Sequence, residues 1–334
     1  MRRAHSLLLG LCALWVAVPA AAEDVILLKN GDRITGDISQ IWDGEVFIEP
    51  SYADEFGVDM NDVAAIESDE ILDFAFEDRE ESTGRLAIDA DGRQVLLEDT
   101  TPRPVDLARI DIAEEPLVGR EFDANADFAT NVSSGNADTA SFYGSSAVSL
   151  RLGVHRNDVS LSVDRQEDNG APIKDQFDFG YRYNWLFRDD WFLEAGVGYR
   201  ADPVRDLDRR ITVGGGLGHD IFRQSWRQLR VVAGPTLVSE RIGGRDQDSL
   251  AVAWSHSYEQ DFLHGNLELF HRLDVLSYVS GRENNVFDAS TGVSIDVLDD
   301  FYVNLQLDVN YETDPSPGNV SEDVTYRIGV GYEY

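Results

Sequence analysis

From about residue 119 to the C-terminus, the sequence alternates between apolar and polar residues in long segments. In one segment, six aromatic side chains alternate with polar or small ones: Phe177, Phe179, Tyr181, Tyr183, Trp185 and Phe187. A period of two is that of a β-strand whose two faces meet different surroundings. A half-buried soluble sheet also alternates, but its apolar face is usually shorter and aliphatic. Aromatic residues near both ends of the apolar face are instead typical of strands between lipid and a polar lumen.

Twelve such segments can be counted in this region. They lie near residues 121–132, 139–154, 158–166, 175–187, 190–201, 208–222, 228–241, 248–259, 263–278, 285–297, 300–312 and 323–334. The number is even, as single-chain bacterial outer-membrane barrels require, and each segment is long enough for a tilted crossing. We therefore predict an all-β fold, a transmembrane antiparallel β-barrel of about 12 strands.

The connections between these segments alternate in predicted length. Five are long and would be external: residues 166–174, 201–207, 241–248, 280–285 and 313–322. The connections between them are short and would face the periplasm, which is the usual arrangement in bacterial barrels. An ordinary β-sandwich has no reason to show this alternation.

The N-terminus predicts export to the bacterial envelope. Two arginines precede an apolar run from Leu7 to Val18, and small residues follow as far as Ala22. This pattern is that of a cleaved secretory signal peptide, residues 1–22, which contains the only cysteine, Cys12. No later segment has enough uninterrupted apolar residues for a membrane-spanning helix. A closed barrel is the only other structure that satisfies all its backbone groups in lipid.

Residues 23–116 are predicted to form a separate, acidic periplasmic domain. A Thr-Gly element at Gly36 recurs about 48 residues later at Gly84, among short strands joined by Asn-Gly or Asp-Gly turns. Such turns indicate small curled sheets, and we predict two SH3- or Sm-like repeats. The formal net charge of the chain is -34. This excludes nucleic acid as a partner, because binding it requires an excess of Lys and Arg.

The last strand resembles the C-terminal signal by which the barrel-insertion machinery recognises bacterial outer-membrane proteins. Gly329, Tyr332 and Tyr334 match its glycine and its two aromatic positions. Ile328 departs from the pattern, which prefers a polar residue there. The resemblance implies that this strand is the last of the barrel and pairs with residues 121–132 to close it.

A short motif lies between the first two predicted barrel strands. Its pattern, Ser-Gly-Asn-x-Asp-Thr, is formed by Ser134, Gly135, Asn136, Asp138 and Thr139. The motif resembles the hallmark of the salt-induced outer-membrane proteins, domain of unknown function (DUF) family 481. The resemblance covers about residues 119–334 and implies a barrel in a Gram-negative outer membrane with a periplasmic leader domain, but no substrate. From the residues themselves we expect a tight hairpin turn, because Gly and Asn tolerate a positive φ.

No constellation of residues predicts catalysis, a cofactor or a metal site. An outer-membrane lipid hydrolase is the enzyme class to exclude, since it needs a lipid-facing serine activated by a histidine. His256 and His271 are predicted on the outward faces of two adjacent strands, whereas Ser255 and Ser257 should point inward. We therefore expect a non-enzymatic protein and keep the lipid hydrolase as a remote alternative.

The predicted inward faces of the barrel carry charges of both signs. The candidate lumen charges are Arg151, Asp178, Arg182, Glu194, Arg200, Arg230, Glu268, Arg272, Asp308 and Arg327. One interpretation is a network of cross-lumen ion pairs that closes a narrow barrel, because unpaired buried charges are costly. The other is a polar pore whose charges select solutes. We favour closure or very low conductance.

These observations predict a non-enzymatic outer-membrane barrel, either a narrow solute channel or a structural protein of the envelope and salt-stress response. Its partners would be outer-membrane lipid and the barrel-insertion machinery. In the alternative function, the periplasmic domain binds an envelope protein, and the barrel, residues 119–334, serves as its anchor.

Overall fold

The computed structural model describes residues 24–78, 80–99, 101–116, 120–133, 138–188, 190–298, 301–316 and 318–333. The predicted signal peptide lies outside these residues. Most of the described chain is β-strand, with two short 3-10 turns at Leu107–Arg109 and Pro203–Arg205. No helix among the described residues is long and apolar enough to cross a membrane.

The N-terminal domain consists of two five-stranded repeats. The first contains β1 (Asp24–Leu28), β2 (Arg33–Trp42), β3 (Glu45–Glu49), β4 (Phe56–Asp59) and β5 (Val63–Glu67). The second contains β6 (Leu72–Phe76), β7 (Glu81–Ile88), β8 (Gln94–Glu98), β9 (Thr101–Pro104) and β10 (Ile110–Glu114). In each repeat four strands form an antiparallel meander, and the fifth returns to pair with the first, β5 with β1 and β10 with β6. This confirms the all-β repeat, and the pairing of β10 with β2 joins the two copies.

Two glycines occupy equivalent positions in the two repeats. A Cβ atom on Gly36 would lie 2.5 Å from the carbonyl oxygen of Glu49, and one on Gly84 would lie 2.7 Å from that of Leu97. A larger residue at either position therefore requires the neighbouring strand to move. The core beside them is apolar and almost completely enclosed, and includes Ile26, Ile38, Ile41, Ile48, Ile66, Phe74, Leu86 and Leu96.

Residues 120–333 form a closed barrel. Its strands are β11 (Arg120–Ser133), β12 (Thr139–Leu152), β13 (His155–Asp168), β14 (Ala171–Leu186), β15 (Trp191–Asp202), β16 (Leu207–Arg223), β17 (Arg227–Ile242), β18 (Arg245–Phe262), β19 (Leu267–Ser280), β20 (Asn285–Leu298), β21 (Phe301–Glu312) and β22 (Glu322–Glu333). Each strand pairs antiparallel with the next, and β22 pairs with β11. This confirms the predicted twelve-stranded antiparallel barrel.

Among the described residues, the seam between β11 and β22 is the shortest ladder of the barrel. It joins four residue pairs there, from Asn125–Glu333 to Phe128–Val330. The ladder between β21 and β22 joins eleven pairs, from Phe301–Tyr332 to Tyr311–Glu322. The final strand therefore closes the ring, as predicted, through a few residues near its end.

The outer surface of the barrel is apolar, as the alternation predicts. Tyr326 and Ile328, on β22, are 81% and 74% exposed although both side chains are large and hydrophobic. Arg327 lies between them in the sequence and points into the lumen, where its side chain is 10% exposed. Monomeric soluble proteins rarely expose a continuous apolar surface of this extent. The outer surface therefore requires apolar surroundings.

Two of the predicted external loops are extensions of strands. β13 and β14 are connected by the two-residue turn 169–170, and β17 and β18 by the glycines at 243–244. The prediction of long connections at residues 166–174 and 241–248 is therefore wrong. Polar residues remain in the hydrogen-bonded ladder after the apolar band has ended, because strand pairing uses backbone groups and does not need apolar side chains. Residues 313–321 form a connection of the predicted length.

The N-terminal domain contacts the end of the barrel at which β11 begins and β22 ends. The carboxylate of Glu81 accepts hydrogen bonds from Gln224, at 2.6 Å, and from Arg227, at 2.7 Å. The imidazole of His264, in the turn between β18 and β19, lies 5.0 Å from the ring of Phe47. We call this the inner end of the barrel and the opposite end the outer end.

Candidate functional site: the lumen of the barrel

The predicted lumen charges lie on the inward faces of their strands. On β14, Asp178 lies between Phe177 and Phe179, which are both 38% exposed on the outer surface. The pairing of β14 with β15 then places Arg200 opposite Asp178, so both side chains point inward. These charges do not form one network. They are divided between an outer cluster, a central cavity and an inner cluster.

In the outer half, ion pairs cross the lumen. The guanidinium of Arg200, on β15, lies 2.5 Å from Asp178 and 2.7 Å from Asp288. Asp288 belongs to β20, which is five strands away in a ring of twelve and therefore on the opposite wall. Asn310 also donates a hydrogen bond of 2.6 Å to Asp288. The two walls are thus connected directly.

A second cross-lumen group surrounds Arg210, on β16. Its guanidinium lies 2.5 Å from Glu240 and 3.3 Å from Glu312, which belongs to the opposite strand β21. Arg282 lies 3.1 Å from Glu312, and Tyr278 donates a hydrogen bond of 2.9 Å to Glu240. The side chain of Glu240 is fully buried. Its charge therefore depends on these partners, because an unpaired buried carboxylate is very costly.

A third group is centred on Arg327, on β22. Its guanidinium contacts both Asp164 and Asp308, and the ammonium of Lys174 lies 2.9 Å from Asp164. The guanidinium also lies over the ring of Tyr143, 4.1 Å from its centroid. We call the three arginines Arg200, Arg210 and Arg327, with their acidic partners, the outer gate.

Several members of the outer gate are not among the residues predicted from the sequence. Arg210 and Glu240 are two of them, although the alternation along β16 and β17 points both inward. The signal was therefore available for these two residues. Arg282 lies in the turn at 281–284, where alternation gives no direction. Glu312 is the last residue of its strand, where the direction is also poorly defined.

The inner half of the lumen is narrowed by aromatic rings. Each ring lies on a lumen-facing glycine of the next strand and leaves no room there for a Cβ atom; the pairs are Phe192–Gly218, Phe270–Gly292 and Tyr302–Gly331. The guanidinium groups of Arg156 and Arg230 lie 5.0 Å and 5.9 Å from the centroid of the Phe192 ring. Arg230 is also 3.1 Å from Asp220. Cation–π contacts and an ion pair thus fix the side chains at the inner end of the lumen.

Of the other predicted charges in the inner half, two form ion pairs with nearby residues and one forms none among the described residues. Arg272 lies 2.8 Å from Glu259, on the adjacent strand, and Arg151 lies 3.7 Å from Glu121. Glu268, on β19, has no ion pair within 4.0 Å in the part of the chain that the structure describes. The structure therefore does not bring these three predicted charges together.

Between the outer gate and the inner rings lies a cavity of about 290 Å³. Part of its wall consists of lumen-facing glycines on β14 to β17, most of which lie too close to a neighbouring strand to carry a side chain: Gly180, Gly196, Gly198, Gly214, Gly216 and Gly234. Three of the charged side chains that line it, Arg182, Glu194 and Asp274, form no ion pair within 4.0 Å among the described residues. The cavity is therefore polar, roomy and charged.

The motif between β11 and β12 is partly within the described residues. Ser134, Gly135 and Asn136 lie outside them. The carbonyl oxygen of Asp138 accepts a hydrogen bond of 2.7 Å from the backbone N–H of Asn169, in the neighbouring outer turn. Thr139 begins β12 and lies opposite the last residue of β11. At these two positions, the described contacts are those of a hairpin end.

Two of the three residues of the predicted insertion signal are described. A Cβ atom on Gly329 would lie 2.8 Å from the carbonyl oxygen of Phe128, so a side chain at this inward position would collide with the first barrel strand. The ring of Tyr332 packs on that of Phe301, with 5.2 Å between centroids, on the outer surface. Tyr334 lies outside the described residues.

His256 and His271 face outward and contact each other, with 5.0 Å between ring centroids. Nδ1 of His271 lies 2.7 Å from the hydroxyl oxygen of Thr291. Across the described ranges neither histidine has a serine as a hydrogen-bond partner, and Ser255 lines the central cavity instead. The described chain also has no group of three or more His, Cys, Asp or Glu side chains placed to hold a metal ion.

Comparison with known proteins gives one family match, a model described as "Protein of unknown function, DUF481", over residues 126–334. No curated protein matches the chain. Among solved structures, NanC porin is 12% identical with a TM-score of 0.40, and the match covers 64% of this chain and 99% of that one. The translocator domain of autotransporter NalP from Neisseria meningitidis is 12% identical with a TM-score of 0.38, covering 64% and 88%. KdgM porin is 10% identical with a TM-score of 0.35, covering 64% and 99%.

Proposed function

The chain belongs to the DUF481 family, and on that premise we propose that it is a non-enzymatic outer-membrane barrel, a narrow channel for small solutes that is closed at rest. The apolar outer surface supports the membrane location, since a closed barrel can satisfy all its backbone groups in lipid. The proposed orientation places the N-terminal domain in the periplasm, because the longest connections of bacterial barrels face outward. The domain contacts the turns 224–226 and 263–266, and the longest connection of the barrel, 313–321, lies at the opposite end.

The observation that carries the proposal is the outer gate above the central cavity. A barrel that served only as an anchor could fill its lumen with side chains, as small barrels do. Here, inward glycines leave about 290 Å³ of space. Ion pairs close it, and the side chains of Arg200 and its partners retain about a quarter of their exposure. Ion pairs that remain in contact with water separate at modest cost, so the closure can open at the Arg200 group.

The non-enzymatic part of the proposal is supported by the placement of the histidines. A lipid hydrolase needs a serine hydroxyl within hydrogen-bond reach of its histidine on the lipid side. His271 lies within hydrogen-bond distance of the Thr291 hydroxyl, and its ring contacts the ring of His256. Ser255 lies on the other side of the barrel wall.

Single-channel recording in planar lipid tests the proposal. The double variant Asp288→Asn with Glu312→Gln removes the carboxylates on the far wall from both cross-lumen groups. We expect little or no current from the wild-type protein and a several-fold larger conductance from the double variant. Asp175→Asn is the matched control, because it removes an exposed pair with Arg165 on the outer surface. Absence of current from all three proteins, with heat-modifiable migration showing that each is folded, would contradict the channel.

In a second candidate function, the barrel serves as the anchor of a binding module. This function is supported by the exposed acidic surface of the N-terminal domain. Glu45, Glu49 and Asp54 are among its exposed carboxylates, which would suit a basic envelope partner. Deletion of residues 24–116 should then leave insertion of the barrel intact but abolish complementation of a strain that lacks the protein. Full complementation by the barrel alone would contradict this function.

A further inference from the structure

Within the part of the chain that the structure describes, three charged side chains of the central cavity have no ion-pair partner within 4.0 Å. Arg182 lies on β14, Glu194 on β15 and Asp274 on β19, and all three line the cavity. Arg182 and Asp274 are exposed inside the barrel. Because β14 and β19 are five strands apart in a ring of twelve, these two side chains stand on opposite walls. The space between them is open to a solute.

The arginines of the outer gate are engaged in a different way. Arg200, Arg210 and Arg327 each contact two carboxylates. Arg182, Glu194 and Asp274 have no such contact within 4.0 Å among the described residues, so the guanidinium can meet a carboxylate of a solute and the two carboxylates can meet ammonium groups. Hydrogen bonds between ionised partners are among the strongest that a protein forms with a ligand.

We propose that the cavity binds a small diamino-carboxylate, that is, a basic amino acid. Its carboxylate would contact Arg182, and its two ammonium groups would contact Glu194 and Asp274. The charges of such a solute, two positive and one negative, complement those of these three side chains, two negative and one positive. Hydroxyl groups of Ser255 and Thr212 line the same cavity and offer neutral hydrogen bonds. The inference rests on the proposed function, because the solute needs a path to the cavity through the lumen.

The volume and shape of the cavity fit this class of solute. A volume of about 290 Å³ corresponds to roughly ten water molecules at about 30 Å³ each, and lysine has about ten non-hydrogen atoms. In the strand ladders Arg182 lies opposite Gly196, and Gly196 lies opposite Gly214. No side chain of β15 or β16 therefore occupies the level of Arg182, and the solute can lie along this wall.

Isothermal titration calorimetry on the full-length protein in detergent tests the inference with L-lysine, L-glutamate and cadaverine. We expect lysine to bind and glutamate to give no measurable heat. Cadaverine should bind about tenfold or more weakly than lysine, because it lacks the carboxylate that Arg182 would hold. Arg182→Gln should weaken lysine binding about tenfold or more and leave cadaverine binding unchanged. Asp274→Asn should weaken both.

The matched control is Arg165→Gln, which removes an arginine that is 69% exposed at the outer end and should leave all three titrations unchanged. Equal binding of lysine and glutamate, or wild-type lysine affinity in Arg182→Gln, would overturn the inference. If Arg182→Gln does not fold, Arg182→Lys keeps the charge and should retain part of the preference for lysine over cadaverine. A smaller preference with unchanged cadaverine binding in Arg182→Lys supports the inference, and an unchanged preference opposes it.

The two proposals fail in distinguishable ways. If the Asp288→Asn and Glu312→Gln variant conducts but lysine does not bind, the channel function is supported and the proposal that the cavity binds a basic amino acid is contradicted. If lysine binds as described but that variant carries no current, the channel falls and the cavity remains a binding site.

Discussion

The N-terminal domain buries its large aliphatic side chains and exposes its acids, whereas the barrel exposes its large apolar side chains and encloses many of its acids. Ile41 and Phe74 are at most 1% exposed in the first region, while Tyr326 and Ile328 are 81% and 74% exposed in the second. Both regions consist of alternating antiparallel strands. Alternation therefore identifies two faces but does not say which face meets water. Strand length and aromatic content separate the two regions, because long strands with aromatic ends are those that suit a membrane.

The largest difference expected between the two regions concerns their ion pairs. Arg210→Met removes the closest partner of the fully buried Glu240, and we expect the free energy of unfolding to fall by about 3–5 kcal/mol. Arg109→Met removes the exposed pair with Asp78 in the N-terminal domain, and we expect a loss of at most about 1 kcal/mol. Urea unfolding of the full chain in lipid vesicles, followed by tryptophan fluorescence, measures both. Equal losses of unfolding free energy in the two variants would show that enclosed and solvated ion pairs contribute equally to stability.

The next difference concerns exposed apolar residues. Leu305 is 44% exposed near the middle of β21, and Ile71 is 57% exposed in the N-terminal domain. Leu305→Arg should cost about 2–4 kcal/mol in vesicles, because it places a charge in the hydrocarbon region. Ile71→Arg should change the stability by less than about 0.5 kcal/mol, because that side chain already meets water. If Leu305→Arg leaves the free energy of unfolding unchanged, this face does not lie in lipid.

A smaller difference concerns glycines. Gly36→Ala and Gly84→Ala should each cost about 1–3 kcal/mol, since the new Cβ would press on the backbone of the adjacent strand. Gly144 lies on the outer face of β12, where a Cβ would come no closer than 3.4 Å to Phe142. Gly144→Ala should therefore change stability by less than about 0.5 kcal/mol. The same unfolding experiment applies, and similar losses at all three positions would mean that the lipid face is packed as tightly as the soluble core.

The smallest effect is expected at the contact between the two regions. Burial raises the pKa of the Glu114 carboxyl, although the nearby hydroxyl of Ser225 acts in the opposite direction. A carboxyl with a raised folded-state pKa stabilises the contact below its unfolded pKa of about 4.3, and this contribution is lost as the pH rises through the raised value. The contact should therefore be tighter at acidic pH. Pulsed electron resonance between spin labels on the two domains should show a narrower distance distribution at low pH, and Glu114→Gln should abolish the change.

The strands of the barrel and their faces could be predicted because they depend on neighbouring residues. The direction of Arg182, for example, follows from the aromatic residues on either side of it. The turn at 169–170 could not be predicted, because the extent of a strand depends on the partner with which its backbone pairs. Polar residues in a ladder and polar residues in a loop are alike in sequence.

The ion pairs of the outer gate could not be predicted for a different reason. Arg200 and Asp288 are separated by 88 residues and meet because two opposite walls approach each other. Alternation gives the direction of a side chain but not the distance across the lumen. The pairing of β10 with β2 is similar, since it depends on how the two repeats of the N-terminal domain fit together. Neither contact leaves a local signal in the sequence.

The short ladder between β11 and β22 gives the barrel a preferred line of rupture. In the described part of the chain, four residue pairs form this ladder, compared with eleven between β21 and β22. Each ladder resists separation through its hydrogen bonds, so lateral tension in the membrane meets the least resistance at the seam. In mechanical terms, the tensile strength of the whole wall is set by the contact between its first and last strands. These two strands, which must meet for the ring to close, are also those that would part first under load.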